Sequence, residues 1–200
     1  MSTTQLDIWT SDFGAHYTDR NDREIPARRR SWAHMLEDTT TSSILEVGCN
    51  VGWNLAYLRD LGREGLAGIE PQAYAVERAR QRLPGCDIRQ GNAFALPFPD
   101  VSFDLVFTSG VLIHIHGDDL GTAMEEICRV SRRYVLYVEY DAAQETPIEY
   151  RGVPDALWKR DHHAAWLAAH PELRVVKRGH WDAADGYDDC GWCLFEKPLD

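Results

Sequence analysis

From residue 43 onward, apolar and polar positions follow two alternating patterns. Ser43-Ile44-Leu45-Glu46-Val47-Gly48 is a short apolar run that stops at a glycine, and residues 53–61 then place Trp53, Leu55, Ala56, Leu58 and Leu61 at helical spacing. The pattern predicts strand, turn, helix. Residues 66–70 repeat the strand, Pro71 suits a helix start, and 74–83 set Ala75, Val76, Ala79 and Leu83 on one face. A weaker strand over 86–90, a strand over 103–108, a helix over 119–130 with Leu120, Met124, Ile127 and Val130 inward, and a strand over 134–139 follow. Strands separated by helices need crossover connections, so the expected fold class is α/β, a mostly parallel sheet with helices on both faces.

The two ends read differently. After a helical stretch expected over 155–169, strands around 173–178 and over 191–196 flank a polar loop with Asp185-Gly186, which predicts an antiparallel C-terminal edge hairpin and a total of seven strands. Before residue 43, Ile8, Trp9, Phe13 and Tyr17 are too aromatic for a solvated tail, and 26–37 reads as a helix. This segment is expected to fold over another part of the chain.

With 200 residues, 44% of them hydrophobic and 26% charged, the chain fits one domain with a sizeable core. Thirty-two Asp and Glu against 21 Lys and Arg give a net charge of −11, which argues against nucleic-acid and anionic-membrane partners. Arg28-Arg29-Arg30 is accordingly read as a solvated helix face. No apolar run approaches the ~20 residues of a membrane span, and the N-terminus lacks the regions of a secretion signal, so a cytoplasmic protein is expected. Cys49, Cys86, Cys128, Cys190 and Cys193 lack a disulfide-framework spacing, and the lone pair Cys190/Cys193 sits in an expected strand, so buried reduced thiols and no bound metal are expected.

Candidate chemistry centres on the first strand-to-helix junction, Glu46-Val47-Gly48-Cys49-Asn50-Val51-Gly52. Gly48 and Gly52 permit close backbone approach, and the helix start offers free N–H groups. A dinucleotide fingerprint would need glycines where Asn50 and Trp53 stand, which disfavours a bound pyrophosphate. Glu70 ends the second strand, 22 residues after Gly48, where a carboxylate accepts hydrogen bonds from ribose hydroxyls. After the third strand, the Asn92 amide is placed to read an adenine edge.

Together, the string from Glu46 to Gly52, Glu70, Asn92-Ala93 and the fourth strand resemble the class I S-adenosylmethionine-dependent methyltransferases over residues 43–140. The resemblance implies a Rossmann-like fold with S-adenosyl-L-methionine as cofactor. It implies that Gly48, Cys49, Asn50 and Gly52 hold the methionine part, with Glu46 standing where Asp is commoner. Glu70, with Pro71 beside it, would hold the ribose, and Asn92 with Ala93 would meet the adenine. Ser109 and Gly110 would lie under the sulfonium. A narrower resemblance, carried by residues 9–21, 110–115, 149–152 and 157–161, is to the methylases associated with pseudaminic acid biosynthesis. That family's name records a gene-cluster association rather than a shared acceptor.

Methyl transfer from a sulfonium depends on alignment and desolvation, with a general base needed only where the acceptor carries a proton. His114, just beyond the fourth strand, is the candidate base or acceptor-orienting residue, and Glu139, ending the fifth strand, the candidate partner for an amine. Trp9, Phe13, Tyr17 and Arg20 are expected to form a lid, with Tyr17 and Arg20 on the cofactor side. Tyr140, Tyr150, Arg151, Lys159 and Arg160 are expected to line an acceptor pocket suited to a carboxylate. The organisation expected is one domain over 1–200: a lid (1–42), a cofactor half (43–140) and an acceptor-side segment (141–200), as a monomer or homodimer. The activity expected is O- or N-methylation of a small polar metabolite, a sugar-acid or natural-product intermediate. Three other readings stand beside it: a catalytically silent S-adenosylmethionine-binding module, a metal-dependent hydrolase using His114, His116 and Asp118, and a nicotinamide oxidoreductase.

Overall fold

The computed structural model describes residues 4–198; the first three and last two residues of the expected domain lie outside the described residues. Its main sheet joins β1 (Ile44–Val47), β2 (Leu66–Glu70), β3 (Asp87–Gln90), β4 (Phe103–Ser109), β5 (Ser131–Tyr140), β8 (Arg174–Trp181) and β9 (Cys190–Glu196). The strand order is β3-β2-β1-β4-β5-β9-β8. The first five strands run parallel, and β9 is antiparallel to both neighbours. The seven-stranded Rossmann-like sheet therefore has the expected C-terminal hairpin, with β9 inserted between β5 and an outermost β8. Composition explains that order: Cys190 to Phe195 are all buried, whereas β8 is mostly exposed, and a polar strand belongs at an edge.

Helices α3 (Ala27–Met35), α4 (Trp53–Asp60) and α5 (Ala73–Arg82) cover one face, burying Trp32, Met35, Leu55, Leu58, Val76 and Ala79 against the sheet. Helices α6 (Gly117–Val130) and α7 (His162–Ala169) cover the other with Leu120, Met124, Ile127 and Trp166. Every residue of β1 and β2 is buried, so Glu46 and Glu70 bring carboxylates into the centre of the molecule.

The chain departs from expectation over 155–169. Only His162–Ala169 is helical there; β6 (Thr146–Tyr150) and β7 (Val153–Lys159) form a separate antiparallel hairpin. Its loop is Arg151-Gly152, with φ of 54° and 79°, the positive values that a two-residue hairpin loop demands. Helix α7 starts late because the Asp161 side chain accepts from Ala164 N at 2.8 Å and caps it.

The N-terminal segment also holds more helix than expected: α1 (Thr4–Thr10) and α2 (Asp12–Asn21) precede α3, separated by Ser11, which accepts from Phe13 N. Two anchors fix the pair over the carboxyl ends of the strands. Gln72 Nε2 donates to Ser11 O at 2.9 Å. Asp22 accepts from Trp53 Nε1 at 3.0 Å and from Arg82 Nη2 at 2.6 Å, and pairs with Arg78.

Candidate active site

A cavity of about 560 Å³ opens between the N-terminal helices and the carboxyl ends of the central strands, within the range of small-molecule pockets. The β1–α4 loop forms one wall. Gly48 has φ of 78°, and a Cβ there would collide with Val111, so this turn accepts no side chain. Gly48 N and Cys49 N donate to Ile69 O at 2.7 and 2.9 Å, pinning the loop to β2.

Glu70 accepts from Asn50 N and Gln72 N, each at 2.9 Å, which ties the loop after β1 to the loop after β2. A carboxylate has further lone pairs to offer after two such bonds. Burial pushes its acid group up to about 7. Glu46 is buried as well. One oxygen accepts from Asn54 Nδ2 at 2.7 Å, the other has no protein partner, and desolvation, reinforced by the Glu70 charge, raises it to about 8. Asn92 turns its carbonyl to Phe94 N at 2.9 Å, leaving its NH₂ group as the donor on the cavity side.

His114 lies on a single 3-10 turn (Leu112–His114) that follows β4. Its Nδ1 is 2.6 Å from Ala156 O, and a carbonyl only accepts, so Nδ1 carries the proton and Nε2 holds a lone pair, with no hydrogen-bond partner among the described residues. Desolvation outweighs that hydrogen bond and lowers the imidazole to about 4, so it is neutral at ordinary pH. The rings of Trp9, Tyr150 and Tyr17 stand 4.4, 5.7 and 6.5 Å from it.

Among the expected cofactor residues, Tyr17, Arg20, Glu46, Gly48, Cys49, Asn50, Glu70, Pro71, Asn92, Ala93, Ser109 and Gly110 all line the cavity. Gly52 does not; it opens α4 with its α-carbon turned toward Leu83. Among the acceptor-side residues, Trp9, His114, Tyr140, Tyr150 and Arg151 line the cavity. Four expectations need correction. Glu139 is fully buried outside the lining and accepts from Val111 N at 3.1 Å and Ile113 N at 3.3 Å, so it braces the His114 turn. Arg160, 4% exposed, also turns inward: Nη1 donates to Leu112 O at 3.3 Å, Nη1 and Nη2 each donate to Ile115 O at 3.0 Å, and Nε pairs with Glu145. Lys159 lies over the Tyr140 ring, and Phe13 packs behind Trp9 and Tyr150. The basic cluster read from sequence is thus dispersed by the β6–β7 hairpin.

Sequence reasoning missed Arg28 and Tyr187. Arg28, the first of the arginine run, lines the cavity, with Nε on Gly186 O at 2.8 Å and its guanidinium 4.4 Å from the Tyr187 ring. The signal available was its place one turn before the buried Trp32 on the same helix face. The two histidines of the hydrolase reading have separate jobs, since His116 caps α6 through Asp118 N. No group of three metal-ligating side chains occurs among the described residues.

The site fits S-adenosylmethionine. Glu46 Oε2 and Asn50 Oδ1 are buried acceptors without a protein partner, Glu70 has spare acceptor capacity, and Gly110 leaves open space where a side chain would stand. Residues 45–136 match the methyltransferase domain family. The chain is 32% identical over 126 residues to an uncharacterized methyltransferase of Schizosaccharomyces pombe, a match covering 55% of this chain and 45% of that protein. It is 33% identical over 122 residues to O-methyltransferase resE of Aspergillus sclerotiorum, covering 58% and 42%. The chain thus spans less than half the length of these relatives. In fold it resembles the 1,6-didemethyltoxoflavin-N1-methyltransferase of Burkholderia thailandensis, solved with S-adenosylhomocysteine, at a TM-score of 0.77 and 16% identity, covering 100% of this chain and 92% of that one. No helix of the described residues is long and apolar enough to cross a membrane.

Gly14 offers a test of the lid. A Cβ on Gly14 would overlap the carbonyl oxygen of Trp9, so Gly14→Ala must push α1 off α2 and carry the Trp9 ring away from His114. The variant is expected to lose about 1–3 kcal/mol, as overpacked sites do. Trypsin should cut after Arg20 and Arg23 faster than in the parent; equal cleavage rates would show that the lid tolerates the extra methyl.

Proposed function

We propose that this protein is an S-adenosylmethionine-dependent O- or N-methyltransferase acting on a small polar metabolite, with residues 1–42 as lid, 43–140 as cofactor half and 141–200 as acceptor side. The observation that carries the reading is the buried Glu70 carboxylate joining the two strand-end loops of the glycine turn, with lone pairs free for a ribose. When bound, S-adenosylmethionine supplies an electrophilic methyl group on a positively charged sulfur. Gly48, Cys49 and Asn50 hold its methionine end, Glu70 the ribose, and Asn92 with Ala93 the adenine. Arg28 and Glu46, both in the cavity lining, match the carboxylate and ammonium of an amino acid.

The acceptor's lone pair forms the new bond to the methyl carbon while the carbon–sulfur bond breaks toward sulfur. The acceptor's proton passes to His114 Nε2 and then to water. A base as weak as this imidazole suffices, because a methylated oxygen or nitrogen still carrying its proton is a much stronger acid than before. The small share of the chain outside the cofactor half, residues 1–42 and 141–200, supports a small acceptor. Free thiols at Cys49, Cys86, Cys128, Cys190 and Cys193 support a cytoplasmic setting.

Calorimetry with S-adenosylhomocysteine tests the reading. Glu70→Ala should weaken binding by about 1–3 kcal/mol, the worth of charged hydrogen bonds, or roughly five- to a hundredfold. An unchanged affinity removes Glu70 from the site, and NADH binding without S-adenosylhomocysteine binding overturns the function. Product formation from labelled S-adenosylmethionine with metabolite extract separates an enzyme from a silent binding module.

A further inference from the structure

The wall around His114 differs in chemistry from the cofactor end. Trp9, Tyr17, Tyr150 and Leu157 present rings and an alkyl chain there, and the polar atoms among them are few: His114 Nε2, the Trp9 indole N–H and the tyrosine hydroxyls. Of the cations expected to receive a carboxylate, Arg160 is spent on backbone carbonyls and Lys159 lies outside the cavity. Arg151 remains, at the exposed tip of the β6–β7 hairpin and over the Tyr150 ring at 5.8 Å. A sugar acid has a hydroxyl on most carbons, and most would be left unpaired against this wall, each at the cost of a hydrogen bond to water that the protein does not replace. A planar ring instead gains from aromatic faces and edges on several sides.

We propose that the acceptor is a planar aromatic or heteroaromatic molecule bearing one hydroxyl or ring N–H, seated against Trp9 and Tyr150 with that proton directed at His114 Nε2. The inference rests on the methyltransferase reading and narrows its acceptor. The fixed tautomer matters to it. Because Ala156 O holds the Nδ1 proton, the ring can only accept at Nε2, so it selects a donor and rejects a bare carbonyl or carboxylate at the methylated position. During transfer the ring atom's lone pair takes the methyl carbon, the sulfur keeps the electron pair of the broken bond, and the ring's proton leaves through Nε2 to water.

The test uses the whole protein saturated with S-adenosylhomocysteine, titrated separately with 1-naphthol, methyl glucoside and gluconate, with heat and the ¹⁵N shift of His114 as readouts. 1-Naphthol should bind at least about tenfold more tightly than either aliphatic probe and move the Nε2 resonance. Trp9→Ala and Tyr150→Ala should each weaken it about tenfold, whereas Trp9→Phe, which keeps a ring, should stay within about threefold of the parent. Their affinity for S-adenosylhomocysteine reports whether the variants are folded. Failure of 1-naphthol to bind, binding indifferent to both ring removals, or tighter binding of gluconate that depends on Arg151 each overturns the proposal. Failure to bind S-adenosylhomocysteine shows before any probe is added and overturns the methyltransferase reading instead.

Discussion

Replacing Arg160 with methionine is expected to cost about 2–4 kcal/mol of folding stability and to loosen the His114 turn without touching the cofactor loops. The guanidinium donates to Leu112 O and Ile115 O, which lie on either side of His114 in the chain. Both carbonyls lose a buried partner in the variant, while removing a cation whose own burial is unfavourable returns part of that cost. Glu139 holds the same turn from the other end through Val111 N and Ile113 N. Two ionisable side chains therefore position one imidazole from opposite directions, and neither reaches the cavity. Denaturant unfolding gives the stability loss, and amide exchange at Ile113 and His114 the local one; both amides should exchange at least about tenfold faster relative to those of β1. Arg160→Lys should not rescue them, since a point charge cannot span carbonyls that the planar fork reaches together. Unchanged exchange in Arg160→Met would show that Glu139 and Ala156 O hold the turn alone. Affinity for S-adenosylhomocysteine should stay within about twofold, which separates positioning of His114 from collapse of the site.

These positioning roles mark the limit of what the sequence discloses. The cofactor half was legible because each of its signals is local: β1 and β2 are unbroken apolar runs, and Glu70 falls at a strand end whose position follows from spacing alone. His114 was legible for the same reason. Glu139 and Arg160 were not, because residue type shows that a charge exists but not whether it faces the cavity or the turn behind it. That depends on the β6–β7 hairpin, whose Ala156-Leu157-Trp158 run is buried throughout and has no period to tell strand from helix. The one local signal was Arg151-Gly152, a two-residue loop that lacks the commoner Asn or Asp before its glycine. Arg28 was hidden by its neighbours, since Arg29 and Arg30 are the solvated face the run predicts.

The ligand-free protein is expected to lose about 3 kcal/mol of stability between pH 6.5 and 8, an unusual direction for an acidic protein. Burial raises Glu46 to about 8 and both Glu70 and Glu139 to about 7. In the unfolded chain these groups ionise near 4.3. The folded state thus holds more protons through this window, and the stability present below the unfolded value is lost as pH rises through the folded ones. Buried histidines act oppositely. His114 at about 4 and His162 at about 3 are neutral when folded but protonate near 6.5 when unfolded, so their contribution is complete above 6.5 and is lost as pH falls toward 3. Two histidines offset only two of the three carboxylates between about pH 4.5 and 6.5, which places the stability maximum near the acid end of that range and leaves the carboxylates nearly unopposed above it. Thermal melts should show a fall of roughly 6–12 °C from pH 6.5 to 8 for a chain of this size. Glu46→Gln, which keeps the acceptor for Asn54 but cannot ionise, should remove about half of that fall. S-Adenosylhomocysteine should oppose the remainder, because ribose hydroxyls donate to the ionised Glu70 and are bound more tightly as it forms. The melting temperature gained from saturating ligand should therefore be larger at pH 8 than at pH 6; a gain independent of pH would mean that the ribose is held by some other group.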